Sequence, residues 1–198
     1  MFNVTENDKM NSPDFEIKDT GPISKEFLKN NITNFRMASL FIKELPYKRN
    51  KNKDDLLSIF SDGCGTCSTK HALLKKLADE NGFKNIQLIL GIFKMNTRNT
   101  PSVKQTLGKY KLEYIPEAHN YLRYKNEIID CTKRNWKASD FENDILVEIE
   151  ILPEQITVYK VAYHKEFLRG WLKKNNGVPY NIDELWEIRE QCIKELSN

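Results

Sequence analysis

Cys67 is the residue in this sequence best placed to act as a nucleophile. It closes the stretch Asp62-Gly63-Cys64-Gly65-Thr66-Cys67, in which two glycines suit a tight turn with positive φ. Ser68 to Asn81 behind it reads as a helix, with Ala72, Leu73, Leu74, Leu77 and Ala78 as the apolar face and Asn81-Gly82 as the stop. A thiol in the first turn of a helix meets unpaired backbone N–H groups and the positive end of the helix dipole, and both favour the thiolate. The same N–H groups can stabilise the oxyanion of a tetrahedral intermediate. Such a nucleophile needs a base, and the base needs a group that holds its tautomer. His119 and Asp130 are the candidates, eleven residues apart in two strand-like runs, Ala118–Tyr124 and Ile128–Thr132, joined by a turn at Lys125-Asn126. Nearly opposite positions across that hairpin let a carboxylate hold one imidazole nitrogen and leave the other for the thiol. The plainer alternative for Cys67 is a small buried hydrophobe at a helix start.

Other readings compete for the same residues. Cys64 and Cys67 form a C-x-x-C, but a thioredoxin-like site wants that motif after a first strand, and the segment before it reads helical. A zinc site wants a second pair, whereas Cys131 and Cys192 are isolated. His71 shares a helix face with Cys67 and could complete a Cys-x3-His half-site, or could simply pack behind the nucleophile. His164, in a helix rich in aromatic and basic residues, reads as a surface or packing histidine. Trp136, Trp171 and Trp186 read as core or interface anchors. No metal and no cofactor is expected.

The elements that must position these groups follow from periodicity. Ile23 to Leu45 carries apolar residues at three- and four-residue steps, which suits one or two amphipathic helices ending at Pro46. Residues 48–55 (KRNKNKDD) form an exposed loop, and Leu56, Leu57, Ile59 and Phe60 suggest a short helix. Ile86 to Phe93 is a buried strand by length and composition, and Ile145 to Leu152 alternates as a half-buried one. Residues 96–111 read as a long flexible loop, a basic stretch that could act as a flap over a cleft. Val158–Lys174 and Asn181–Leu196 read as helices, the second with Asn181 and Glu184 at capping-box spacing. Residues 1–20 are polar and read as a flexible arm or a segment lying on the surface; residues 21–198 read as a single domain. Helices, then strands, then helices make this an α+β chain.

The bulk numbers exclude more than they select. The chain has 198 residues, 39% hydrophobic and 30% charged, with 31 basic and 28 acidic side chains for a net charge of +3. That balance, without regular aromatic interleaving in the basic loop, makes nucleic acid an unexpected partner. No run approaches the roughly 20 apolar residues that cross a bilayer. The N-terminal stretch lacks an apolar core of the signal-peptide kind. Four cysteines are too few for a disulfide scaffold. A cytoplasmic protein with no membrane partner is the expectation, and no oligomeric state follows.

Gly65-Thr66-Cys67-Ser68-Thr69-Lys70-His71-Ala72-Leu73-Leu74, continuing to Asn81-Gly82, resembles the nucleophile motif of the transglutaminase-like superfamily. There a Gly-x-Cys opens a helix that runs to a glycine and then into an apolar strand. His119 in AHNYL and Asp130 in IIDCT resemble that family's His and Asp blocks, with Thr132 following and Cys131 where the family often has proline. The likeness spans residues 35–135, about half the chain. Two departures stand out: the His-to-Asp hairpin is short, and the tryptophan supporting the oxyanion in many animal transglutaminases has no clear counterpart. Tyr47, in Leu-Pro-Tyr, is the substitute on offer. The resemblance implies a papain-like, transglutaminase-like fold: a nucleophile helix on an antiparallel sheet, with extra helices at both termini. It also implies a Cys67–His119–Asp130 triad that transfers the acyl group of an amide through a thioester on Cys67. Water (protease or amidase) or an amine (cross-linking) would resolve the thioester, and the substrate would be a peptide, protein or other amide. The rival within that fold is an inactive module whose cleft only binds a peptide or protein.

Overall fold

The computed structural model describes residues 13–196. The chain is α+β: helices α1 (Pro22–Lys29), α2 (Phe35–Glu44), α3 (Ser58–Asp62) and α4 (Cys67–Glu80) precede strand β1 (Gln87–Asn96). Helix α5 (Lys104–Lys109) separates β1 from β2 (Tyr114–Tyr124); β3 (Glu127–Ile129) and β4 (Ile145–Glu150) complete the strands, and α6 (Val158–Lys174) and α7 (Ile182–Leu196) follow. The four strands form one antiparallel sheet in the order β3-β2-β1-β4. Among the described residues, no helix is long and apolar enough to cross a membrane.

Strand alternation divides the core into two layers. Leu88, Leu90, Ile92, Ala118 and Leu122 face α4, where Leu73, Leu74 and Leu77 are fully buried with Phe27 of α1 and Ile42 of α2. Each such side chain contributes roughly 1.5–3 kcal/mol by leaving water. Ile89, Phe93, Met95, Ile115 and Tyr121 line the other face, against Leu168 of α6 and Leu185, Ile188 and Cys192 of α7. Gly91, paired with His119, lies under the Tyr121 ring; a Cβ there would come 2.5 Å from the tyrosine oxygen.

Local chemistry sets the element ends. Thr66 and Thr69 cap α4 reciprocally: the Thr69 N–H donates to Thr66 Oγ1 and the Thr66 N–H to Thr69 Oγ1. In the turn before it, Gly63 takes φ +61, whereas Gly65 serves another end: a Cβ there would crowd the Lys70 and Thr69 side chains at 3.0 and 3.1 Å. Lys125 (φ 49) and Asn126 (φ 67) make the left-handed hairpin turn between β2 and β3. Asn181 accepts from the N–H groups of Asp183 and Glu184 while Glu184 accepts from the Asn181 N–H, the box at the head of α7.

Two expectations need correction, and the structure decides between two readings for part of the N-terminal segment. Residues 96–111 are not a loop over a cleft. Pro101–Val103 forms a 3-10 turn, α5 follows, and Val103 and Leu107 sink into the core shared with α7. Asp144 ties the preceding turn by accepting from Asn96 and Asn99. Asp130 stands one residue past β3 rather than on a strand. Residues 13–20 lie on the domain: the Ile17 N–H donates to Thr33 O, the Phe35 N–H donates to Phe15 O, and the Phe15 ring stacks on Phe35 and Phe83. The rest of the proposed arm, residues 1–12, lies outside the described residues.

Candidate functional site

Cys67 is the first residue of α4, and its N–H and that of Ser68 have no acceptor among the described residues. Both point from the helix N-terminus, where partial positive charge accumulates. The turn that presents Cys67 is held from outside: Asn50 donates to Cys64 O (2.9 Å) and accepts from the Thr69 hydroxyl (2.8 Å), while Tyr47 pairs with Gly65 as an isolated parallel bridge. Lys70, fully buried in the same helix, donates to Leu45 O (2.6 Å) and Thr132 O (2.8 Å), joining α4 to the end of α2 and to the segment that carries Asp130.

The three residues singled out in the sequence converge. His119 Nε2 donates to Asp130 Oδ2 at 2.8 Å, and the imidazole lies close enough to Cys67 for each group to shift the other's protonation. Continuing the pairing of Leu122 with Ile129 sets Asp130 opposite Tyr121, so the carboxylate reaches His119 diagonally across one face. The Thr132 N–H donates to Asp130 Oδ1 (2.8 Å) and holds that carboxylate in place. Phe93, Tyr121 and Phe141 enclose the His119 ring at centroid separations of 5.0–6.0 Å, and this apolar wall strengthens the histidine–carboxylate bond.

Electrostatics follow from these contacts. Burial alone raises the Cys67 thiol. The Lys160 ammonium, then the His119 hydrogen bond and charge and a hydrogen bond from the Asn120 backbone, overcome it and bring the thiol down to about 6. Burial opposes protonation of His119, yet the Asp130 charge and hydrogen bond raise it to about 9. Asp130 itself, buried but facing His119, stays far below the usual carboxylate range. The resting state at neutral pH is thus a thiolate–imidazolium pair. The other two perturbed thiols go the opposite way, Cys131 and Cys192 each being pushed up to about 12 by burial. All four cysteines are free and buried.

His71 packs behind Cys67 and spends both nitrogens on backbone. Nδ1–H donates to Cys67 O and Nε2 accepts from the Cys131 N–H, each at 2.7 Å. Burial brings it down to about 4, so it is neutral, and among the described residues no three His, Cys, Asp or Glu side chains gather as a metal site would. His164 is a packing residue, donating to Pro116 O (2.8 Å) with its ring against Trp186.

A cleft of about 540 Å³ opens onto Cys67. Its lining includes Tyr47, Arg49, Lys51 and Lys53 as well as Lys160, Trp186 and Arg189. The Tyr47 phenol, raised by burial and by the Cys67 charge, remains a neutral donor at the cleft. Arg189 of α7 forms a bidentate, buried pair with Glu117 of β2 at the cleft floor.

Two neighbours of Cys67 and His119 were not among the sequence candidates. Lys160 of α6 places its ammonium 3.7 Å from Cys67 Sγ, 2.9 Å from Ser68 Oγ and 2.8 Å from Asn120 Oδ1. Its signal is the spacing Lys160, His164, Leu168, the buried line of α6, while Val158 and Val161 face outward. Trp136 stacks on His119 (5.9 Å, 21°), and its indole N–H has no hydrogen-bond partner among the described residues. No spacing in the sequence ties Trp136 to His119. No protein-family model, curated protein or solved structure matches the chain, so the geometry of the site has to carry the functional reading.

Proposed function

We propose that this protein is a cysteine-dependent amide hydrolase or acyltransferase of the transglutaminase-like kind, on a papain-like arrangement of nucleophile helix and antiparallel sheet. The observation that supports this most is the grouping of Cys67, His119 and Asp130 beside an open cleft, with His119 bonded to Asp130 and charge-coupled to Cys67. The Cys67 thiolate adds to the carbonyl carbon of an amide; the C=O pair moves to oxygen. The His119 imidazolium gives its proton to the leaving nitrogen, the C–N bond breaks, and a thioester remains on Sγ. Neutral His119 then removes a proton from water or an amine as it attacks, and the collapse returns Cys67 as thiolate. The free N–H groups of Cys67 and Ser68 and the Tyr47 phenol are donors available to the oxyanion. Water is the preferred acceptor, since nothing in the cleft marks an amine site.

The test is the pH dependence of Cys67 alkylation by iodoacetamide, read by peptide mass spectrometry in the native protein and in His119→Ala. The expected result is rapid labelling with a midpoint near 6 that moves upward in the variant. Slow labelling that ignores His119 would remove the enzyme reading and leave a binding cleft on this fold.

A further inference from the structure

Lys160 is a cation without a dedicated counterion. Two of its three N–H bonds go to neutral oxygens, Ser68 Oγ and Asn120 Oδ1. The asparagine is oriented for this, because its Nδ2 donates to Ile89 O (3.0 Å) and turns Oδ1 to the ammonium. The third N–H faces Cys67 Sγ at 3.7 Å, a longer contact than the other two. The nearby carboxylates are already engaged: Glu117 by Arg189, and Glu190 by Arg49 and Arg189. Lys160 is 8% exposed, and a buried ammonium is costly unless an anion offsets it. Cys67 supplies that anion only while it is a thiolate.

When the sulfur bonds to carbon, it becomes neutral and the negative charge passes to an oxygen two bonds away. We propose that Lys160 is a catalytic residue of this site, its ammonium binding the oxyanion formed when the Cys67 thiolate adds to a carbonyl. Lys160 neither gives nor takes a proton in the step; its third N–H turns from sulfur to oxygen as the charge moves. Stabilising the thiolate alone would favour the ground state, and only an interaction that grows in the transition state accelerates the reaction. With two N–H bonds fixed on Ser68 and Asn120, the third, 3.7 Å from sulfur, is the one free to follow the charge to oxygen. The proposal rests on Cys67 being the acyl-accepting nucleophile.

Two reactions of the same thiolate separate the possibilities. Alkylation by iodoacetamide passes through no oxyanion, whereas acylation by p-nitrophenyl acetate does. Their rate ratio at one pH cancels the fraction of thiolate present. It would be measured in the native protein, Lys160→Met, Asn120→Asp and Tyr47→Phe, with Cys67→Ser as blank. Asn120→Asp leaves Lys160 in place but sets a carboxylate against its ammonium, and the alkylation rate reports that each variant is folded around a reactive thiol. The expected result is a fall in the acylation-to-alkylation ratio on the order of 10²-fold in Lys160→Met, and a fall in Asn120→Asp. An unchanged ratio in both, or a fall confined to Tyr47→Phe, overturns the role of Lys160 while the nucleophile stands. A native protein that is alkylated slowly and gives no p-nitrophenolate burst overturns the reading of Cys67, and the proposal with it.

Discussion

Burial pushes Cys131 and Cys192 upward, and Cys67 is as thoroughly enclosed, yet Cys67 alone is lowered. The difference is two cations, Lys160 and His119, with His119 kept charged by Asp130. The signs fix a pH profile. Thiolate is lost as pH falls through about 6, and the imidazolium proton needed by a leaving amine is lost as pH rises through about 9. Amide turnover should therefore be bell-shaped between those limits, while iodoacetamide labelling should rise through the lower one and not fall at the upper, since it needs no proton donor. Asp130→Asn removes the charge that raises His119 and offers an amide in place of the carboxylate. It should lower amide turnover by roughly 10²–10⁴-fold, and the labelling midpoint of Cys67 should move up. Equal labelling profiles in the two proteins would contradict the assigned role.

At the scale of elements, the placement of Cys67 depends on how α4 is tied to the end of β3. His71 makes that tie by bonding Cys67 O and the Cys131 N–H, and Lys70 adds a second between α4 and Thr132 O. His71→Ala leaves the buried Cys131 N–H without a partner and opens a cavity, so it should cost about 2–4 kcal/mol in urea unfolding at pH 7. His71 is neutral in the folded chain down to about 4, against an ordinary 6.5 when unfolded. The unfolded chain therefore binds the extra proton, and stability falls as pH drops from 6.5 toward 4. Unfolding curves across that window should show a shallower decline in the variant than in the native protein. The first turns of helix α6 show a different logic: they expose Val158 and Val161 and bury Lys160 and His164, the reverse of an ordinary amphipathic pattern, before Leu168 continues the buried line. That inversion is what places an ammonium at the sulfur.

Across the whole molecule, the C-terminal helix packs on the sheet face opposite α4 and contributes to the lining of the cleft. Arg189 reaches from α7 to Glu117 on β2, two residues before His119, and lies over the Trp186 ring at 5.1 Å. Opposite charges hold each group ionised, Glu117 being kept low by Arg189 despite burial. Removing one partner strands the other: Arg189→Met should destabilise by about 3–5 kcal/mol, and adding Glu117→Gln should restore part of the loss. Chemical unfolding of the two single variants and the double variant measures this, and simple additivity would show that the pair is not coupled.

What the sequence determined by itself is local. The helix opening at Cys67, its threonine cap, the Lys125-Asn126 turn that brings Asp130 back to His119, and the Asn181–Glu184 box are each written in neighbouring residues, because turns, caps and periodicity are short-range properties. Cys67, His119 and Asp130 could be singled out because one helix start and one hairpin carry all three, with the family resemblance adding what spacing alone did not. The tertiary structure alone decided the rest. Val103 and Leu107 lie four residues apart in a polar stretch, and only the neighbouring α7 makes that pair a buried face. Trp136 is a tryptophan among polar residues until folding lays it on His119. Lys160 is 93 residues from Cys67 and one lysine among several in α6. Nothing local favours burying an ammonium, and it becomes tolerable only where folding supplies Ser68, Asn120 and the charge on Cys67.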